Sequence, residues 1–219
     1  MDRMVNLKTL MLGGLIAVGV LLQCTQAKAG TEKLIVAGGC FWCVESDFES
    51  VNGVKSAVSG YIGGSAETAD YKKISKGGTG HYEAVEITFD NNKVSRDQLL
   101  HMFFRSVDPT DAGGQFCDRG DSYRTAVFYK NNAQKSSADS AKAAAQSALG
   151  QKIVTPVLAA GNFYKAEKYH QDYYKSSTVV LTRFGPKKKS EAYKRYREAC
   201  GRDQRVKQLW GKAAPFASK

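Results

Sequence analysis

Two periods of apolar spacing alternate along this chain. Residues 33–38 (KLIVAG) form a short continuous apolar run closed by Gly38-Gly39, the pattern of a buried strand. From Cys40 the spacing lengthens, and Val44, Phe48 and Val51 recur at helical intervals. Residues 54–62 return to strand pattern and end at Gly63-Gly64. A short helix over 68–76 and a GGTGH loop lead to a third strand at 82–89. Ser95 stands at an N-cap position ahead of Leu99, Leu100, Phe103 and Phe104. Residues 106–122, rich in Gly and Asp, read as a long loop, and loops of that length tend to carry function. A fourth strand is expected at 123–129, an Ala-rich helix at 132–149 stopped by Gly150, and a fifth strand at 153–159. Residues 165–174 and 188–200 read as helical. About five strands mixed in order with helices predict an α+β domain, a mixed sheet with helices packed on it.

The apolar run from Leu10 to Leu22 fits neither pattern. Arg3 and Lys8 precede it, and Ala27-Lys28-Ala29 follows as a small-x-small site. This predicts a signal peptide over residues 1–29, cleaved after Ala29, with a retained membrane anchor as the alternative. The run is short for a bilayer span. The bulky Gln23 before Cys24 is a poor fit to a lipoprotein site. Residues 30–219 then make one domain with a real core, periplasmic or secreted, touching the membrane only during export. The chain of 219 residues carries a net charge of +11; the leader holds three Lys/Arg and one Asp, which leaves about +9. That charge is spread, apart from Lys187-Lys188-Lys189, so nucleic-acid binding is not expected.

Four cysteines lie beyond the leader: Cys40, Cys43, Cys117 and Cys200. Cys40 sits where Gly-Gly hands a strand to a helix. Unpaired N–H groups and the dipole at a helix start lower a thiol pKa, so Cys40 is the expected nucleophile. Cys43, one turn on, suits an internal disulfide or half of a metal site. Zinc would need two more clustered ligands. Cys117 and Cys200 are isolated in sequence and the three His are scattered, so no metal is expected. Phe41 and Trp42, at an exposed helix start beside the thiol, suit a methyl or thioether group. Strand alternation places Glu83 on the apolar face with Val85, Ile87 and Phe89, and Glu86 on the other. Desolvation there would keep Glu83 protonated near neutral pH, as a general acid requires. Tyr71, Asp118 and Tyr123 are weaker candidates that could line the same pocket.

These segments together resemble the A-type peptide methionine sulfoxide reductases. The resemblance lies in GGCFWCVE, SGYIGG at 59–64, DYKKISKGGTGHYEAVEITFD at 70–90, DPTDAGGQFCDRGDSYRTAVF at 108–128 and FYKAEKYHQDYY at 163–174. It implies a two-layer α+β sandwich with a ferredoxin-like core. It also implies thiol-dependent reduction of methionine S-sulfoxide, free or in proteins, without metal or organic cofactor. By the resemblance Cys40 attacks sulfur and Glu83 protonates oxygen. Tyr71 and Tyr123 hydrogen-bond near it, Phe41 and Trp42 hold the methyl group, and Asp118 orients the site. Cys40 becomes a sulfenic acid that a second thiol condenses to a disulfide. Many members have Gly where Cys43 stands and resolve with C-terminal cysteines. Here Cys43 is the expected resolving thiol, with Cys200 and then Cys117 as alternatives. The implied reductant is a thioredoxin-like protein, and a monomer is expected. The rival readings are a thioredoxin-like disulfide oxidoreductase, from CxxC and Thr155-Pro156, and a metal-binding module.

Overall fold

The computed structural model describes residues 30–217, so the leader expected over 1–29 lies outside the described residues. In chain order come β1 (Thr31–Gly38), α1 (Phe41–Glu49), β2 (Val54–Ile62), α2 (Tyr71–Ile74), β3 (Tyr82–Asp90) and α3 (Arg96–Phe104). A two-residue ribbon, β4 (Gly114–Gln115) and β5 (Asp118–Arg119), precedes β6 (Thr125–Tyr129) and α4 (Asn132–Leu149). Then follow β7 (Val157–Ala159), β8 (Phe163–Lys165), β9 (Val179–Thr182), β10 (Gly185–Lys188), α5 (Lys189–Ala199) and α6 (Arg202–Trp210).

The main sheet has six strands in the order β7-β6-β1-β3-β2-β8. Its centre, β6-β1-β3-β2, is antiparallel throughout and is threaded β1-α1-β2-β3-α3-β6, the ferredoxin-like arrangement. Only β6–β7 is parallel. Leu34, Val36, Val85, Ile87 and Phe89 point to one face, where α1 brings Phe41, Val44 and Phe48 and α3 brings Leu99, Leu100, Phe103 and Phe104. Ser95 caps α3 with a reciprocal box: its hydroxyl accepts from Gln98 N–H at 3.1 Å, and its own N–H reaches Gln98 Oε1 at 2.8 Å.

Ile35, Ala37, Ile62, Tyr82, Ala84, Ala126 and Phe128 form a second core on the other face, joined by Leu158, Ala160 and Phe163. The connection from β7 to β8 explains how that face is buried. These strands are the two outer edges of the sheet, yet only residues 160–162 join them. Four Cα steps span at most about 15 Å, whereas six flat strands would hold the edges roughly 24 Å apart. The sheet must therefore curl, and the small side chains of Ala37, Ala84 and Ala126 fit its concave side.

Four sequence expectations are corrected. The sheet has six strands rather than about five, because residues 163–165 pair with the end of β2 instead of opening a helix. Residues 165–174 form two short 3-10 turns (Lys168–His170 and Tyr173–Lys175) rather than one helix. Tertiary bonds displace the helical ones there: Gln171 spans Ser59 O and Ala166 O, Glu45 accepts from Asp172 N–H, and Asp172 is left-handed at φ 55°. The strand expected from 153 begins only at Val157: Val154 N–H turns to Pro109 O, and Pro156 has no N–H to give. The strand expected from 123 starts at Thr125, because residues 121–123 make a 3-10 turn.

Candidate active site

α1 starts at the C-terminal end of β1, so the turn through Gly39 and Cys40 lies at one end of the sheet. Gly39 has φ +80°, and a Cβ there would meet Gln115 Cβ at 2.6 Å. Glycine is thus what lets the 106–122 loop close over the turn. That loop is organised by Gln115, fully buried, whose amide binds Asp108 N–H, Asp108 O and Gly114 O, each at 2.8 Å. A Cys117–Cys200 disulfide then ties the loop to the end of α5. The two cysteines that are isolated in sequence are therefore partners, while Cys40 and Cys43 are free thiols.

Every side chain singled out in the sequence reaches one cavity of about 400 Å³. Cys40, half-buried, is the N-cap of α1, its carbonyl accepting from Cys43 N–H at 3.1 Å. Glu83, 2 % exposed, projects from β3 on the helix-facing side and takes the Phe41 N–H on Oε2 at 3.1 Å. Burial, opposed by that hydrogen bond and aided by Asp118, raises its pKa to about 8. Glu83 is thus a carboxylic acid at neutral pH. Burial and then Glu83 raise both Tyr71, to about 12, and Tyr123. Burial also raises Asp118, against the pull of Arg202.

The thiols differ from the sequence expectation. Cys40 is not lowered: its hydrogen bond to Cys43, then burial, push it well above the usual thiol range. Cys43 is lowered to about 7, by the bond from Cys40 and, against burial, by Arg202 and Arg197. The helix-start argument considered only the backbone, whereas the bond between the two sulfurs, and after it side-chain charges from the chain's far end, favour the charge on Cys43. Arg202 is buried, donating to Gly38 O at 3.0 Å and Ser106 O at 2.9 Å. Arg197 pairs with Asp47 at 2.9 Å and Asp203 at 2.7 Å and donates to Tyr193 OH at 2.9 Å.

The aromatic wall is also more enclosed than expected. Phe41 is 1 % exposed and belongs to the main core rather than an exposed helix start, while Trp42 is half-buried. Trp42 stacks on Tyr173 with centroids 3.7 Å apart and planes 10° apart. Its indole N–H donates to His170 Nδ1 at 3.2 Å. His170 is neutral, lowered to about 4 by burial. Nδ1 accepts, so Nε2 carries the hydrogen, 4.0 Å from Glu167 Oε2. Glu167 in turn holds Tyr61 OH at 2.8 Å and Tyr71 N–H at 2.9 Å. His170→Phe keeps a ring but leaves the indole N–H unpaired, a cost of about 1–3 kcal/mol. Its expected effect is a several-fold higher KM for sulfoxide with a smaller change in kcat, and shifted Trp emission. Unchanged KM and emission would mean that His170 does not orient Trp42.

His170, Glu167, Tyr173, Arg197 and Arg202 were not singled out in the sequence. The first three lie in FYKAEKYHQDYY, whose density of aromatic and titratable residues was the available signal. The two arginines gave none.

A free thiol pair and a protonated carboxyl facing one aromatic cavity define, on this fold, a thiol-dependent oxidoreductase. The family model described as peptide methionine sulfoxide reductase matches residues 32–213, and the chain belongs to that family. It is 42% identical over 205 residues to peptide methionine sulfoxide reductase MsrA 2 of Rhizobium meliloti, covering 94% of this chain and 96% of that one. Reduced Mxr1 of Saccharomyces cerevisiae matches with TM-score 0.63 and 29% identity, over 65% of this chain and 83% of that one. Methionine sulfoxide reductase A of Corynebacterium diphtheriae matches with TM-score 0.62 and 27% identity, over 74% and 85%. The chain is a peptide-methionine (S)-S-oxide reductase, an oxidoreductase that uses thiols to reduce methionine sulfoxide.

Proposed function

We propose that Cys40 is the nucleophile, Glu83 the general acid, and Cys43 first the base and then the resolving thiol. The observation that carries this reading is the neutral Glu83 carboxyl held by Phe41 N–H in the cavity that contains both thiols. Cys40 passes its proton to the Cys43 thiolate and attacks the sulfoxide sulfur. Glu83 protonates the oxygen, with Tyr71 and Tyr123 hydrogen-bonding beside it and Asp118 orienting the site. Phe41 and Trp42 hold the methyl group. The S–O bond breaks, methionine leaves, and Cys40 keeps the hydroxyl as a sulfenic acid. Cys43 then attacks that sulfur and water departs, leaving a Cys40–Cys43 disulfide. The single negative charge has moved from Cys43 to Glu83, which regains its proton from solvent. An external dithiol, a thioredoxin-like protein by class, reduces the disulfide.

Cys43→Ser is expected to form about one methionine per enzyme, more slowly than the parent, and then stop. Quenched-flow counting of methionine, with mass mapping of the disulfide formed by the parent, tests this. A Cys40–Cys200 bridge and continued recycling in Cys43→Ser would move the resolving role to Cys200, freed as a thiol when the external dithiol reduces its bridge to Cys117. The leader pattern supports an enzyme exported to the periplasm or beyond, cleaved after Ala29, that repairs oxidised exported proteins. Intact mass of the exported protein tests the cleavage.

A further inference from the structure

The β9–β10 hairpin exposes apolar side chains at the cavity mouth. Residues 180–183 line that mouth. Val179 is 62% exposed and Leu181 85%. Pro186, also exposed, stands opposite Leu181 across the hairpin. The three form one outward apolar ridge, although a single exposed leucine would need no explanation.

The hairpin is built firmly enough that this exposure is not slack. Its tip turns inward: Phe184 packs on Tyr196 with centroids 5.5 Å apart, and Arg183 lies over both rings at 4.9 and 5.2 Å. Thr182 Oγ1 donates to Gly185 O at 2.7 Å and accepts from Phe184 N–H at 3.0 Å. Lys189 N–H closes the base on Thr178 O at 2.9 Å. The aromatic residue of the tip is half-buried while the aliphatic ones remain outside.

We infer that the outer face of β9–β10 seats the extended, apolar polypeptide that flanks a methionine sulfoxide in a protein substrate. This rests on the cavity being where the sulfoxide is reduced. A peptide whose sulfoxide occupies the cavity must leave it across the rim, and the hairpin supplies part of that rim. Among the described residues β9 and β10 pair only with each other, so each keeps one free backbone edge, which suits an extended chain. The ridge selects for apolar neighbours of the sulfoxide, and Arg183, Lys187 and Lys188 around it select against basic ones.

The full chain and its Val179→Ser/Pro186→Ser variant are compared on three probes. These are free N-acetylmethionine sulfoxide and two capped pentapeptides with a central methionine S-sulfoxide, one flanked by Leu and Val, the other by Ser. The parent is expected to favour the apolar peptide. The variant is expected to raise KM for that peptide about tenfold, the scale of uncovering one to two aliphatic side chains. Its kcat, and its activity on N-acetylmethionine sulfoxide, should not change. Leu181→Met should retain the preference. Equal losses on all three probes would indict the cavity itself and overturn the inference. So would an unchanged KM for the apolar peptide, or a parent dimer that the variant abolishes, since a second copy would then be the occupant.

Discussion

Cys40→Ser is expected to abolish turnover of methionine S-sulfoxide, by at least about 10⁴-fold, because Cys40 supplies the attacking sulfur. Serine fits the N-cap position at least as well as cysteine, so the helix start should persist. Methionine release measured with excess dithiol, beside an unchanged far-UV spectrum, is the check. A tenth of the parent rate in a folded variant would remove Cys40 from its role. It would then point to Cys43, the thiol that ionises first, as the attacking sulfur.

Glu83→Gln is expected to slow sulfenic-acid formation by about 10²–10⁴. The amide oxygen can still accept the Phe41 N–H, so α1 should start in the same place. The pH dependence separates proton donation from simple positioning. In the parent, the first step should quicken as Cys43 ionises near 7 and slow as Glu83 loses its proton near 8. In the variant only the rising limb should remain. A bell-shaped profile that survives the substitution would assign the upper limb to another group. Stability should move the opposite way from activity. Between about pH 4.5 and 8 the folded protein holds a proton on Glu83 that the unfolded chain has released. Folding therefore weakens across that window, at the scale of about 1.4 kcal/mol per pH unit. Glu83→Gln removes this dependence and is expected to be inactive yet less pH-sensitive in thermal unfolding.

The position of Glu83 was legible because the residues that follow it in steps of two, Val85, Ile87 and Phe89, are apolar, and the structure puts them all against the helices. α3 was legible from its cap Ser95, and α4 from its run of alanines and the Gly150 that ends it. The helix-like look of residues 165–174 misled because its carboxylates and amides are engaged by β2 and α1, more than a hundred residues away. The curl of the sheet was hidden for the same reason, since three connecting residues reveal nothing until the strand order is known. The electrostatics of the thiol pair were the least legible. Local sequence assigned the low pKa to Cys40, whereas the bond between the two sulfurs gives it to Cys43, helped by arginines over 150 positions downstream.

That distance has a consequence for how the protein is made. Arg202 reaches Gly38 O across 164 positions of chain. While the chain is still emerging, α1 with its two cysteines is already complete, but neither guanidinium exists to stabilise a thiolate. Cys43 then lacks the share of its lowered pKa that the two guanidiniums supply and keeps only what its bond with Cys40 gives. That share arrives with the last thirty or so residues, as α5 and α6 dock and bring their charge. An enzyme whose chemistry depends on an easily oxidised sulfur thus withholds part of that sulfur's reactivity until the cavity around it has closed.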